Sequence, residues 1–371
     1  MFVIGQNTNR ILGLDILRSV SILYVVYFHG NNIICKYVAD VHYFSPVLFD
    51  GVSAFFVLSG FLVGGIVIRS IESNRFNSFS DIRFFWLRRW FRTLPNYYFI
   101  VLLLFFLHIL FNTYWVEDFS WKYLVFLQNF KEPHPHFFPE AWSLCIEEWF
   151  YISFPIIYML LSKAVLKNSK KSLIATILIF LIVPLVLRLS YYTKVFDANY
   201  VDAHFRKVTL FRFDSIMYGV IGAFIQYYHP KLWTCKKNTL ILIGMGVLIL
   251  NKLFPLMLNI PEMLLFNFEA LSILLCLPFL SNYKSCSFKP AAAVFTYISI
   301  ISYSMYLLNL TPVSKLILPL IKAPFHIQGD STEFSSLVLY ALFWILTFIL
   351  SRFFYVFFER PMTGLREKFN Q

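Results

Sequence analysis

Apolar stretches of about 20 residues recur along the whole chain, separated by short polar connections. They lie at about 11–30, 47–68, 91–111, 139–161, 173–190, 209–228, 238–256, 262–281, 293–313 and 335–358. A helix of this length crosses the ~30 Å hydrocarbon core of a bilayer. The pattern predicts an all-α, polytopic membrane protein of about ten transmembrane helices, which form a single domain over residues 1–371.

Composition supports a membrane protein and argues against nucleic acid as a partner. Hydrophobic residues make up 58% of the chain and charged residues only 14%, whereas soluble domains carry roughly 25% charge. The formal net charge of +12 is dispersed over short loops rather than gathered in a basic arm. The five cysteines are odd in number and scattered, which is typical of apolar fillers rather than of a disulfide framework.

The positions of lysine and arginine predict that both termini are cytoplasmic. The alternate connections that include 69–92 and 163–171 hold most of the basic residues outside the spans, and basic loops stay on the cytoplasmic side. Asp15 and Arg18 interrupt the first apolar run, and no small-residue cleavage site follows it. We therefore expect a retained first helix rather than a cleaved signal peptide.

Three ionisable residues in the first span, Asp15, Arg18 and His29, are candidates for function. Each such group costs at least about 2.5–3.5 kcal/mol near a helix centre. Arg18 and His29 are spaced to share one helix face, about 16 Å apart. Alternatively, Asp15 and Arg18 form a buried pair that neutralises itself, and His29 is a hydrogen-bonded interfacial histidine. The shared face of Arg18 and His29 favours a passage between the two sides of the membrane.

The fourth span places Glu147 about 12 Å below its start, close to the depth expected of His29. A histidine and a carboxylate at one depth can act as a general base and its orienting partner. Glu148 is the alternate, and adjacent glutamates point about 100 degrees apart, so only one is expected to face the centre. A purely structural pair of helix-to-helix hydrogen bonds is the other interpretation, and Glu140 is expected in a loop.

The segment between the second and third spans concentrates arginines among aromatic residues, at Arg83, Arg88, Arg89 and Arg92. Positive-inside anchoring accounts for some of them. Arg89 and Arg92 share a helical face, and guanidinium groups bind phosphate oxygens in a bidentate manner, such as those of an acyl coenzyme A. Arg88, Arg89 and Arg92 are therefore candidates to bind this co-substrate, with membrane anchoring as the other interpretation.

Two further polar groups remain open to two interpretations each. Ser53, Ser59 and the glycines of the second span are either close-packing small residues or part of a site. Asp50, at the end of this span, likewise has either a structural or a functional role. Around the sixth span, a polar group indicates either a solvated surface or a rim that contacts a glycan. Its members are Arg206, Lys207, Arg212 and Asp214.

Seven short segments, in this order, resemble acyltransferase family three of integral membrane proteins, which includes bacterial O-antigen, capsule and exopolysaccharide acetylases. They are GLDILR followed by His29, FFVLSGFL, the Arg89 and Arg92 pair, WSLCIEEWFY, FRFDSIMYG, SYSMYLLN and FFERP. Asn309 departs from the pattern, because similar proteins often carry histidine there. The chain resembles the stand-alone branch, without a soluble esterase-like domain.

The resemblance implies a ten-helix bundle of the bacterial inner membrane, which transfers an acyl group, usually acetyl, from cytoplasmic acyl coenzyme A to a sugar hydroxyl at the outer face. Acetyl coenzyme A is the expected co-substrate, with no metal, and a lipid-linked or surface polysaccharide is the expected acceptor. His29, Glu147 and Arg18 are the expected catalytic residues. Supporting positions are Asp15, Ser59, Trp142, Ser143, Arg212, Asp214, Tyr303 and Tyr306.

Two alternatives to an enzyme stay open at this point. Intramembrane Asp, Arg, His and Glu also build the proton relays of secondary transporters. A non-catalytic subunit of a polysaccharide export system would tolerate loss of His29. For an enzyme, direct transfer with His29 as a base and a covalent acyl-histidine both fit the residues.

Overall fold

The computed structural model describes residues 10–34, 48–111, 118–191, 198–253, 262–322 and 333–365. Within these ranges the chain is helical, with no strand, and the all-α prediction is confirmed. The ten principal helices, labelled α1 to α10 in chain order, are Leu12–Ile34, Gly51–Glu72, Phe79–Leu110, Trp142–Leu160, Ser169–Ser190, Phe213–Tyr228, Lys237–Leu253, Glu262–Asn282, Lys289–Leu308 and Glu333–Phe354.

Eight helical stretches of the described residues are long and apolar enough to cross a membrane. The other two predicted spans, 209–228 and 238–256, correspond to α6 and α7, which have 16 and 17 residues. Every predicted apolar run therefore coincides with a helix. The number of membrane crossings stays a prediction.

Helix α3 begins at Phe79, well before the predicted start of the third span near residue 91. Ser78 and Asp81 form a capping box: Ser78 Oγ accepts from Asp81 N at 3.2 Å, and Asp81 Oδ2 accepts from Ser78 N at 2.8 Å. The arginine-rich segment that was predicted as a connection thus belongs to the helix. Its charges lower the local hydropathy and do not interrupt helix formation, because arginine is a good helix former.

Helices α2 and α6 cross in close contact through their glycines. A Cβ atom on Gly60 would lie 1.8 Å from the Ile216 carbonyl oxygen, and one on Gly219 would lie 1.9 Å from that of Val57. Only glycine permits this approach of two backbones, as is common where helices pack in membranes. The close-packing interpretation of the glycines in the second span is confirmed at Gly60.

Helix α1 is central, because it packs against α2, α8, α9 and α10. Its polar side chains therefore face protein on several sides. Helix α9 continues into a π-helical segment, Asn309–Ile317, which contains Pro312, and α10 continues into a π-helical turn, Tyr355–Glu359. The first extension packs against α1, and the second packs against α3 and α9.

Candidate active site

A cleft lies between α1, α2, α3, α4 and α9 and encloses about 800 Å³ between protein atoms, its open mouth included. Eight of the residues predicted for a site line it together. They are Arg18, Ser59, Arg89, Arg92, Ser143, Glu147, Tyr303 and Tyr306. The tertiary structure thus gathers residues from five helices that are far apart in the sequence.

One face of α4 forms a wall of the cleft. Ser143, Glu147 and Tyr151 all line it, and their spacing of four residues stacks them over about 12 Å of one helix face. The Tyr151 hydroxyl is hydrogen-bonded to that of Ser59, and the Arg89 guanidinium lies 5.3 Å from the centre of the Tyr151 ring. Sequence reasoning missed Tyr151, although its spacing from Glu147 predicts the same face.

Arg18, Arg89 and Arg92 line the cleft together with Glu147 and act on its carboxyl group through their charges, so the charged lining carries three basic groups and one acidic group. This excess of positive charge suits a ligand with several negative charges. Arg88 does not line the cleft, because it projects from a different face of α3 than Arg89. The structure does not bring Arg88 to the other two arginines at this wall.

Glu148 points away from the cleft, as expected of one of two adjacent glutamates. It is buried and accepts a hydrogen bond of 2.8 Å from Thr93 Oγ1 of α3. Tyr303 of α9 donates at 3.0 Å to the Thr93 carbonyl oxygen. Glu148 therefore joins α4 to α3, while Glu147 faces the arginines.

Asp15 has its own partners near the N-terminal end of α1. Arg10 Nε donates to Asp15 Oδ2 at 2.9 Å, and Ser299 of α9 donates to Asp15 Oδ1 at 2.8 Å. The interpretation in which Asp15 and Arg18 neutralise each other is therefore wrong, because the basic partner of Asp15 is Arg10. Arg18 turns into the cleft, where its charge faces Glu147.

His29 lies toward the other end of α1 and is not part of the cleft lining. Its Nδ1 atom is 2.5 Å from Oδ1 of Asn309. The expected pairing of His29 with Glu147 is corrected: His29 is hydrogen-bonded to Asn309, and Glu147 lies in the cleft with the arginines. Helix arithmetic predicts depth along an axis, whereas the partner depends on how each helix is rotated about that axis.

Tyr306 lines the cleft and precedes Asn309 by three residues in the sequence. Its hydroxyl is 2.6 Å from Ser143 Oγ and donates at 2.6 Å to the Glu140 carbonyl oxygen. Glu140, expected in a loop, is buried, and its carboxylate accepts from the Thr311 backbone at 2.9 Å and from Thr311 Oγ1 at 2.7 Å. These contacts hold the start of α4 against α9.

Beyond Tyr306, Arg206 is the centre of a polar cluster. It pairs with Asp50 at 3.0 Å and with Asp202 at 2.8 Å, and lies 4.9 Å from the centre of the Trp142 ring. Burial raises the pKa of Asp202, but Arg206 and Lys207 outweigh it and bring this pKa below its ordinary value. The loop thus carries charges that are paired with one another.

Arg212 and Asp214 are fully buried, so the expectation of a solvated surface or a rim is wrong for both. Arg188 Nη2 of α5 lies 2.5 Å from Asp214 Oδ2 and 3.1 Å from Asn267 Oδ1 of α8. Arg212 donates at 3.1 Å to Ser53 Oγ of α2. Buried charges need partners of this kind, and these partners join four helices.

Glu359 lies in the FFERP segment but was not predicted as a site residue. It is buried, accepts a hydrogen bond from Ser304 of α9, and interacts electrostatically with Arg92 and Arg18. A second carboxyl group therefore lies near the arginines of the cleft.

These features define an integral membrane protein with a positively charged cleft inside its helical bundle. Residues 11–356 match the model of acyltransferase family three, described as an acyltransferase domain. The chain belongs to this family, and the protein is an acyltransferase.

Curated relatives match over less than half of the chain. Peptidoglycan O-acetyltransferase OatA of Listeria monocytogenes is 27% identical over 173 residues, which cover 42% of this chain and 25% of the relative. A Bacillus subtilis protein with the provisional name peptidoglycan O-acetyltransferase YrhL is 29% identical over 182 residues, which cover 45% and 26%. The aligned part spans about a quarter of these relatives' length. No solved structure matches the chain at a significant level.

Proposed function

We propose that this acyltransferase moves an acetyl group from cytoplasmic acetyl coenzyme A to a hydroxyl group of a glycan on the opposite side of the bacterial inner membrane. The observation that carries the proposal is the convergence of Arg18, Arg89 and Arg92 on one cleft within an apolar bundle. The two relatives named as peptidoglycan O-acetyltransferases support a glycan as the acceptor. A lipid-linked or surface polysaccharide is the proposed form of that glycan.

The cleft has separate features for the two ends of the donor. Arg89 and Arg92 offer guanidinium groups to the phosphates, which they can bind in a bidentate manner. Between the helices, the lining also includes apolar side chains that suit the pantetheine arm. These are Val52, Phe55, Phe56, Leu58, Leu62 and Leu144. The thioester would then lie toward Tyr306 and Ser143.

In the proposed reaction His29 takes the proton from the acceptor hydroxyl as its oxygen attacks the thioester carbonyl carbon. The new C–O bond forms, the C–S bond breaks, and the coenzyme A thiolate leaves with the electron pair and receives a proton from the imidazolium. Arg18, about 16 Å along α1 from His29, would join Arg89 and Arg92 in binding the negatively charged donor, and Glu147 would hold the arginines in position. General-base catalysis of this kind contributes about 10²–10⁴-fold.

The test is transfer of labelled acetyl from acetyl coenzyme A to glycan, in membranes with matched amounts of wild type, His29→Ala, Arg89→Ala and Arg83→Ala. Arg83 is a matched control, because it lies on the same helix α3 but is exposed. We expect label on glycan with wild type and Arg83→Ala, and loss of at least ~10²-fold with His29→Ala.

Two results would overturn the proposal. Equal labelling by His29→Ala and wild type would exclude His29 as the base. Absence of transfer by the wild type with acetyl coenzyme A, together with net movement of a solute across the membrane, would favour the transporter instead.

A further inference from the structure

Asn309 is held by hydrogen bonds that determine which end of its amide faces His29. Its side chain is fully buried, and Nδ2 donates at 2.8 Å to the Met305 carbonyl oxygen and at 3.0 Å to that of Tyr306. Both N–H donors of the amide are thereby used. The amide cannot be reversed without pointing its oxygen at two carbonyl oxygens, so Oδ1 must face the imidazole.

This orientation determines the tautomer of His29. Oδ1 of Asn309 accepts hydrogen bonds and cannot donate, and it lies 2.5 Å from Nδ1 of His29. The hydrogen must therefore be on Nδ1. In the neutral ring the lone pair that can take a proton is then on Nε2.

We propose that Asn309 is a positioning residue that keeps His29 as the Nδ1–H tautomer, so that Nε2 is the atom that takes the proton of the acceptor hydroxyl. This inference rests on the proposed function of the protein as an O-acetyltransferase. His29 as a whole residue is only partly covered by protein. Asn309 itself touches neither substrate and acts through the histidine.

The hydrogen-bond partner of His29 is neutral, although charged groups lie around the ring. The charged groups that act most strongly on this ring are cations: Arg206, Lys207 and Lys315. Arg206 and Lys207 are in turn paired with Asp202. An amide oxygen can accept the Nδ1–H in both the imidazole and the imidazolium, so the ring keeps its orientation while the proton enters at Nε2 and leaves again.

The position of Asn309 also connects the histidine to the cleft. Asn309 is the first residue of the π-helical segment Asn309–Ile317, and π-helical turns are frequent at functional sites. One of its two main-chain acceptors belongs to Tyr306, whose side chain lines the cleft. An acyl donor that contacts Tyr306 therefore contacts the residue to which Asn309, the partner of His29, is hydrogen-bonded.

The first test compares Asn309→Leu with Asn309→Asp in acetyl transfer at matched expression. Leucine removes both the donors and the acceptor. Aspartate keeps an acceptor oxygen for His29, but its second oxygen faces the Met305 and Tyr306 carbonyl oxygens and can donate to them only when protonated. We expect Asn309→Leu to lower kcat by ~10–10²-fold with an unchanged KM for acetyl coenzyme A.

Asn309→Asp should retain more activity than Asn309→Leu. Its acidic limb of the pH–rate profile should move to higher pH, because a carboxylate favours the imidazolium form that cannot act as a base. An equal loss of kcat in both variants, without a change in the pH–rate profile, would show that Asn309 only supports the helix and would overturn the proposal.

A second measurement does not depend on turnover. Solid-state NMR of protein with nitrogen-labelled histidine reports the tautomer of each neutral ring, and the His29 signals are identified among the eight histidines by their absence in His29→Gln. We expect Nδ1 protonated and Nε2 bare in wild type, and a mixture of tautomers in Asn309→Leu. A His29 ring with its proton on Nε2 in wild type would overturn the proposal, even if transfer itself is confirmed. If transfer is absent but the ring is Nδ1–H, it is the proposed function that fails.

Discussion

At the residue scale, the partner of each buried charge decides its role. Asp15 and Arg18 are close in the sequence, yet Asp15 pairs with Arg10 and Arg18 faces Glu147 in the cleft. Because an unpaired charge in an apolar interior is costly, each of these groups has to find compensation within its own surroundings. Glu147 alone does not balance the positive charges of Arg18, Arg89 and Arg92. An acyl donor with several phosphates would supply the missing negative charge.

Arg89 should be sensitive even to substitution by lysine. Its guanidinium lies over the Tyr151 ring, an arrangement that combines a cation–π contact with a planar fork for phosphate oxygens. We expect Arg89→Lys to raise the KM for acetyl coenzyme A by ~10-fold while the stability of the protein is kept. Steady-state kinetics with varied donor would measure this change.

Arg83→Lys is the control for that experiment, because Arg83 is exposed on the same helix. An unchanged KM in Arg89→Lys, or an equal rise in both variants, would contradict a specific role of the Arg89 guanidinium in donor binding.

At the scale of elements, the bundle depends on contacts that a hydrophobic pattern does not describe. Helices α2 and α6 meet backbone to backbone at Gly60 and Gly219. Helices α5, α6 and α8 are joined by Arg188, Asp214 and Asn267. The first contact belongs to α2, which carries Ser59 into the cleft. The second joins α6 and α8, which both pack against α2, so either contact should influence the site through the packing of α2.

Gly60→Val should prevent normal folding. A Cβ at this position would lie 1.8 Å from a backbone oxygen of α6, and a backbone cannot move aside as a flexible side chain does. We expect loss of the folded protein from detergent extracts, measured by size-exclusion chromatography of a fluorescent fusion.

Gly246→Ala is the matched control, because a Cβ there meets no atom within 4 Å. Normal yield and elution of Gly60→Val would show that α2 and α6 do not pack as closely as described.

Asp214→Ala should destabilise the protein by about 3–5 kcal/mol, because it leaves Arg188 buried without its anionic partner. Thermal unfolding in detergent would show the loss as a lower Tm.

The double variant Arg188→Met with Asp214→Leu removes both charges and fills similar volume, so its Tm should recover at least partly. A Tm for the double variant below that of Asp214→Ala would contradict a role of Asp214 as counter-ion.

At the scale of the whole molecule, the alternation of basic and less basic connections predicts which side of the membrane each loop occupies. Ten crossings return the chain to its starting side, and the predicted topology places both termini in the cytoplasm. The proposed function needs this orientation, because the arginines of α3 must face a cytoplasmic donor while the Arg206 cluster faces the acceptor.

The topology can be tested with cysteines that the chain already carries. Cys235 is exposed and lies in a connection predicted to be cytoplasmic. In a Cys35→Ala background, a membrane-impermeant maleimide should label Cys235 only after the cells are permeabilised. Glu132→Cys, exposed in a connection predicted to face outward, should be labelled in intact cells. The reverse pattern would invert the topology.

The sequence by itself determined the helices and most of the polar residues that line the cleft. Apolar length is a local property, so every apolar run became a helix, and the cost of charge in an apolar span marked Arg18 and Glu147 as exceptional. Resemblance to a family supported the same residues together with Arg89 and Arg92. The start of α3 was missed because its arginines lower hydropathy although they do not break a helix.

Only the tertiary structure decided which side chains meet. It paired His29 with Asn309 rather than with Glu147, and it buried Arg212 and Asp214, which the sequence suggested as an exposed group. Neighbouring residues of a helix point about 100 degrees apart, so a small rotation of one helix exchanges its partners across the bundle. That rotation is determined by packing against several helices at once, such as the contact at Gly60, and no single segment of the sequence contains it.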